Sequence, residues 1–229
     1  MSCRRQIHRF FDMRREKRLP EVGVMRLSLY ARELARWERE GRNFISSAAL
    51  GEALGFSAAQ IRRDLSVCGQ FGTSGRGYEV HRLHEQLMAI LGLAGRTWRV
   101  ALAGVGNLGS ALLAYRGFRE RGFAFHLAFD ADAAKMGRLV HGVRIEAIQQ
   151  LTPSVQREAI DIGVIAVPVD QAADVCAAFV RGKVSGIVNF APLRLTAPAH
   201  VTIRHVDLSM EFEQLTYHLS LDHAEHCTR

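Results

Sequence analysis

From Arg26 to Glu40 the apolar residues Leu27, Tyr30, Leu34 and Trp37 return at helical spacing, which predicts an amphipathic helix stopped by Gly41. Ser46 or Ser47 caps a second helix carrying Leu50, Ala53 and Leu54, and Gly55 ends it. Ser57-Ala58-Ala59-Gln60 reads as a capping box that opens a third helix running to about Cys68. On that third helix Ile61, Leu65 and Cys68 share one face, Arg63 points the other way among Ala59, Gln60, Ser66 and Val67, and Arg62 lies at the edge. Phe71 to Val80 then reads as a β-hairpin with a glycine-rich tip, where Arg76 stands between two glycines. A fourth helix is expected from about His81 to Leu93.

Past Gly95-Arg96 the pattern changes. Short apolar runs alternate with helical stretches: Val100–Ala103, Phe123–Phe129, a weak strand Val143–Ile145, Ile160–Val167, Val184–Val188 and Val201–Val206. Gln171–Val180 is a helix with Ala172, Val175, Ala178 and Phe179 inward, and Asp132–Lys135 starts a short turn or helix. Such alternation predicts an α/β domain with a parallel sheet wound on both faces. A last helix follows Asp207, with Leu208, Phe212, Leu215 and Leu219 in one stripe, expected to bury against its own sheet or a second subunit.

The first strand of this half runs into Gly104-Val105-Gly106-Asn107-Leu108-Gly109, then a helix from Ser110 to about Tyr115, then the second strand and Asp130. Gly104 suits a tight turn, Gly106 a close approach of backbone to pyrophosphate, and Gly109 the packing of helix on strand. The helix N-terminus offers N–H groups to phosphates, and Asp130 stands where an acid for an adenosine ribose is expected. An acid there disfavours a 2′-phosphate, so NADH is expected over NADPH, while the 3′-phosphate of coenzyme A stays open. Val167-Pro168 and Asn189-Phe190, at two strand ends, are further candidates to line the pocket.

Charge separates the halves. Residues 1–95 hold 16 Arg and Lys against 10 Asp and Glu, and residues 96–229 hold 14 against 13. The basic half points to a polyanion partner. Two short helices and a glycine-bearing turn form a helix-turn-helix, with the hairpin as a wing. Arg63 is placed to read a guanine edge, with Ala59, Gln60 and Ser66 beside it; Arg62 suits phosphate, Arg76 a minor groove or backbone, and Ser47 is counted with these DNA-binding residues. Ion pairs of Asp64 or Glu52 with these arginines are the structural alternative. Residues 1–24 read as a basic arm, not a secretory signal. Cys3, Cys68, Cys176 and Cys227 show neither zinc spacing nor a disulfide framework, which suits a reducing cytoplasm. No run is long and apolar enough for a membrane helix. His218, His223, His226 and Cys227 at the terminus are expected to be chance rather than a metal site.

Taken together, Ser46-Ser47, Gln60 to Ser66, Phe71-Gly72 with Gly77-Tyr78, Gly104 to Leu112, Phe129-Asp130, Ala166-Val167-Pro168, Asn189 to Pro192 and Val206-Asp207-Leu208 closely resemble the Rex redox-sensing transcriptional repressors. The resemblance spans about Arg26 to Leu221. It implies a homodimer that binds an inverted-repeat operator, is released by NADH, and responds to the balance of NADH and NAD+. It implies no catalysis, and a C-terminal helix that crosses to the partner. Arg32, Tyr115 and Asp207 match family positions that join the cofactor to the domain junction. Arg63 replaces a usual lysine, Val67-Cys68 a usual aromatic pair, and Arg116 a frequent proline; Cys68 is expected to be buried filler. The expected domains are the arm 1–24, a winged helix 25–95, a Rossmann domain 96–207 and a C-terminal helix and tail 208–229. The competing functions are a NAD-dependent oxidoreductase, which would need a substrate domain and a catalytic set for which His205 with Asp207 is the one weak candidate, and a regulatory protein for coenzyme A or another nucleotide.

Overall fold

The computed structural model describes residues 19–72 and 75–227, with side chains described as far as Ser220. The basic run Arg4–Lys17 with Arg18, and the side chains of His223, His226 and Cys227, lie outside the described residues. The chain divides into two compact units between Arg96 and Thr97.

The first unit contains α1 (Glu21–Arg39), β1 (Phe44–Ile45), α2 (Ser47–Leu54), α3 (Ala58–Cys68), β2 (Tyr78–Glu79) and α4 (Val80–Ile90). Helix α1 starts earlier than its apolar stripe because Pro20 takes the N-cap with φ −57° and Glu21 occupies the first turn. Ser46 and Ser57 cap α2 and α3 by accepting the N–H groups of Ala49 and Gln60. The stripe of α1 meets Leu50, Ile61, Leu65, Leu83 and Leu87 in one closed core, where Leu34 and Leu50 are fully buried. Each such leucine contributes about 2 kcal/mol to folding. The wing differs from the hairpin expected over Phe71–Val80. Strand β2 pairs with β1, Phe44 against Glu79 and Ile45 against Tyr78. A two-residue strand has no alternation to betray it, so its partner was hidden in the sequence.

The second unit contains β3 (Trp98–Ala103), α5 (Asn107–Ala114), α6 (Gly117–Glu120), β4 (Phe123–Asp130), β5 (Leu139–Val140), β6 (Val143–Ala147), α7 (Leu151–Arg157), β7 (Ile162–Ile165), α8 (Val169–Arg181), β8 (Gly186–Asn189), β9 (Thr202–His205) and α9 (Leu208–Cys227). The sheet order is β5-β6-β4-β3-β7-β8-β9, parallel except for β5. The chain leaves β3 toward β4 on one side and returns to β7 on the other, so a switch point opens beyond their carboxyl ends. Separate apolar clusters cover the two faces, one including Phe129, Phe179 and Val175, the other Val100, Leu102 and Ile145. Helix α9 is not buried on this sheet: Leu208, Phe212, Leu215 and Leu219 are 60, 70, 54 and 48 % exposed in the single chain. Among the described residues, no helix is long and apolar enough to cross a membrane.

Candidate functional site

A cavity of about 550 Å³ lies at the switch point, lined by Gly104, Gly106, Asn107, Leu108, Asp130, Ala131, Asp132, Lys135, Ile148, Ala166, Val167, Pro168 and Gln171. Three strand ends build it: β3 hands over to the glycine turn, β4 ends on Asp130, and Ala166-Val167-Pro168 follows β7. The glycines have separate causes. Gly104 has φ +93°, and a Cβ there would meet the Ala166 carbonyl oxygen at 2.4 Å. At Gly109 a Cβ would stand 2.0 Å from the Gly104 carbonyl oxygen, so its absence lets α5 seat on the turn. Gly106 has neither reason. Its φ is −83°, and a Cβ would find nothing within 4 Å. The space above Gly106 faces the cavity, beside the N-terminal N–H groups of α5. A bare glycine at a cavity wall fits the close approach of a pyrophosphate.

Other expected pocket residues take different places. Val105 is buried, and its N–H is held by Asp130 at 2.8 Å. Tyr115 ends α5, half exposed and edge-on to Phe118 at 5.1 Å, and does not line the cavity. Phe190 packs on the apolar cluster of Val100 and Leu102. Asn189 is fully buried and bound within the protein: its amide donates to the carbonyls of Ala191 at 3.0 Å and Leu193 at 2.8 Å and accepts from Ala191 N–H at 3.0 Å. Its role is to brace the loop after β8, not to contact a ligand, because its amide groups are already satisfied.

Asp130 lines the cavity and is at the same time engaged by the protein. Its Oδ2 accepts from Val105 N–H at 2.8 Å and Lys135 Nζ at 2.9 Å, and its Oδ1 accepts from Asp132 N–H at 2.9 Å. Burial opposes its charge, but the hydrogen bonds from Asp132, Lys135 and Val105 outweigh it and hold the carboxyl below the usual range. Asp130 is therefore the tie that shapes the glycine turn, with its charge met by Lys135. Asp132, Lys135, Ile148, Ala131 and Gln171 line the cavity without having been singled out; the second acid and the lysine just past Asp130 were the available signal.

In the first unit a cleft of about 650 Å³ gathers Ser47, Arg62, Ser66 and Arg76. Arg62 donates to Ser47 Oγ at 3.0 Å, and the guanidinium of Arg76 rests 4.3 Å above the exposed ring of Phe44. Ser66 Oγ donates to the Arg63 carbonyl at 2.8 Å. Ala59 and Arg63 are exposed on α3 outside this cleft. Gln60 is a correction: its amide donates to Asp64 at 2.7 Å, so it supports the helix rather than presenting itself outward. Asp64 pairs with Arg26, not with Arg62 or Arg63, which leaves both arginines to the surface. Arg32 is exposed on α1, and Asp207 accepts from Ser209 N–H at 3.0 Å and Oγ at 2.6 Å at the start of α9.

Comparison with known proteins now fits both units. The family described as "Putative DNA-binding protein N-terminus" matches residues 18–66, and that described as "CoA binding domain" matches residues 95–193. The redox-sensing transcriptional repressor Rex of Carboxydothermus hydrogenoformans is 43 % identical over 205 residues, covering 90 % of this chain and 98 % of that protein. The chain belongs to the Rex family. The Rex of Desulfitobacterium hafniense is 42 % identical over 88 % of this chain and 96 % of its own length. Among solved structures, RSP in complex with NAD+ and operator DNA superposes with a TM-score of 0.85 at 33 % identity, covering 92 % of this chain and 97 % of that one. RSP in complex with NADH gives 0.83 at 30 % identity, over 93 % and 100 %. Rex proteins are repressors rather than enzymes, so the oxidoreductase alternative falls away.

Proposed function

We propose that this chain represses transcription as a homodimer on an inverted-repeat operator and is released when NADH fills the cavity at the switch point. The observation that carries the reading is Gly106, whose missing side chain leaves ligand space where neither backbone nor packing asks for a glycine. Gly104, Asn107, Leu108 and Gly109 form the turn and helix start that would hold the pyrophosphate, with Val167 and Pro168 on the far wall. The bound nicotinamide supplies no reaction here; its redox state selects a conformation.

Arg62, Arg63 and Arg76 with Ser47, Ala59 and Ser66 form the DNA face. The exposed stripe on α9 supports a second copy as its cover. Arg32, Tyr115 and Asp207 are assigned to couple the cofactor to the domain junction through a hydrogen-bonded set across subunits. The protein acts in the cytoplasm. A gel-shift on an inverted-repeat duplex, with NADH, NAD+ and NADPH titrated separately, tests the reading: NADH releases the DNA at the lowest concentration. DNA retained at saturating NADH rejects it.

A further inference from the structure

The arrangement around Asp130 changes which residue should tell NADH from NADPH. Asp130 is 8 % exposed, its two oxygens accept three hydrogen bonds from the protein, and one donor is the Lys135 ammonium. Lys135 Nζ is itself held between Asp130 Oδ2 at 2.9 Å and the Val105 carbonyl at 3.2 Å. Carboxylate and ammonium at this range nearly cancel as seen from the cavity, so the pair presents little net charge to an incoming phosphate. Asp132 differs. It is exposed, lines the same cavity, and uses Oδ1 to cap the short turn Ala133–Lys135 by accepting Ala134 N–H at 2.9 Å. Among the described residues no cation pairs with it.

Resting on the dinucleotide reading of the cavity, we propose that Asp132 is the residue that excludes a 2′-phosphate, and that Asp130 with Lys135 is a self-neutral brace for the glycine turn. Asp132→Asn removes the charge and keeps an oxygen to accept Ala134 N–H. The double variant Asp130→Asn/Lys135→Met removes both charges of the brace and leaves the net charge of the cavity unchanged.

The test is a fluorescence titration of the full chain with NADH and NADPH, alongside thermal melting without nucleotide. For Asp132→Asn the preference for NADH over NADPH is expected to shrink by about tenfold or more with melting unchanged. For the double variant both affinities fall together, the preference stays within about twofold, and melting drops, because the turn loses its tie. A preference that survives Asp132→Asn overturns the proposal, and that single variant decides the matter if the double one does not fold. A preference that collapses only in the double variant overturns it as well. A wild-type chain that binds both dinucleotides equally overturns the assignment alone, whereas one that binds neither also overturns the dinucleotide reading.

Discussion

Arg26 on α1 grips Asp64 on α3 through two hydrogen bonds, Nε to Oδ2 at 2.6 Å and Nη2 to Oδ1 at 2.7 Å. Tyr30 adds its hydroxyl to Oδ2 at 2.7 Å, and Gln60 its amide to Oδ1 at 2.7 Å. The guanidinium of Arg26 foremost, against the cost of burial, holds the Asp64 carboxyl below the usual range. The consequence reaches the proposed DNA face. The acid of α3 is turned inward, so among the described residues no acidic side chain pairs with Arg62 or Arg63, and both meet the solvent.

Asp64→Ala strands the buried Tyr30 hydroxyl and leaves Arg26 without its partner. The expected loss is about 2–3 kcal/mol, at or below the low end for a broken buried pair because Arg26 keeps some contact with water. Urea unfolding of the full chain measures it, and a loss below about 0.5 kcal/mol would show the network to be marginal.

The glycine turn allows a paired prediction. Gly109→Ala drives a Cβ to 2.0 Å from the Gly104 carbonyl oxygen, so α5 must move. A cost of about 1–3 kcal/mol is expected. Gly106→Ala meets no protein atom within 4 Å, and its backbone already has a negative φ. Its melting temperature should hold while NADH affinity falls by about tenfold or more. Thermal melts beside NADH fluorescence titrations separate the two effects; a Gly106→Ala chain that binds NADH normally would remove the pyrophosphate from that spot.

These elements differ in how far the sequence announced them. The stripe of α1, the serine caps of α2 and α3 and the glycine turn were legible, because each depends on residues close together in the chain. The pairing of Phe44–Ile45 with Tyr78–Glu79 was not, since two residues carry no period. Strand β5 and helix α7, which holds Pro153 in its first turn, were missed for similar reasons of length and composition. At the site, the order of glycines and acid was visible, but the direction of each side chain was not. Asn189 and Gln60 look like ligand contacts by type, and both are bound to the protein's own backbone or charge, while Asp130 lines the cavity with three of its acceptor positions already taken.

A pH-dependent clip joins α1 to α4. Glu38 accepts from His84 at 2.9 Å and from His81 at 2.5 Å. Glu38, with Glu85 behind it, raises the His81 pKa above its usual 6.5, and His81 holds Glu38 below the usual carboxylate range. A raised histidine stabilises the fold fully below its unfolded pKa and loses that contribution as pH rises through the folded one. A lowered carboxyl contributes above its unfolded pKa and loses it as pH falls through the folded one. The clip is therefore complete between the two transitions and loosens first on the alkaline side. An NMR titration should place the His81 midpoint above 6.5, returning toward it in Glu38→Gln. A midpoint at or below 6.5 in the wild type would deny the clip.

Cys68 ends α3 inside the winged-helix core. Burial, helped by the nearby Asp64 charge, pushes its thiol up to about 11. It should resist iodoacetamide at pH 8 until the chain unfolds. Rapid alkylation of the folded protein would contradict the buried placement of this thiol.

On the proposed function, the cavity above Gly106 and the DNA face share one conformational equilibrium. Linkage makes this measurable from the nucleotide side: if NADH weakens operator binding, the operator must weaken NADH binding by the same factor. The direct measurement is the NADH dissociation constant by fluorescence, with and without saturating inverted-repeat duplex. On the operator, NADH binding is expected to be weaker by about tenfold or more. An unchanged constant, with the duplex shown to be bound, would mean that the two sites are uncoupled.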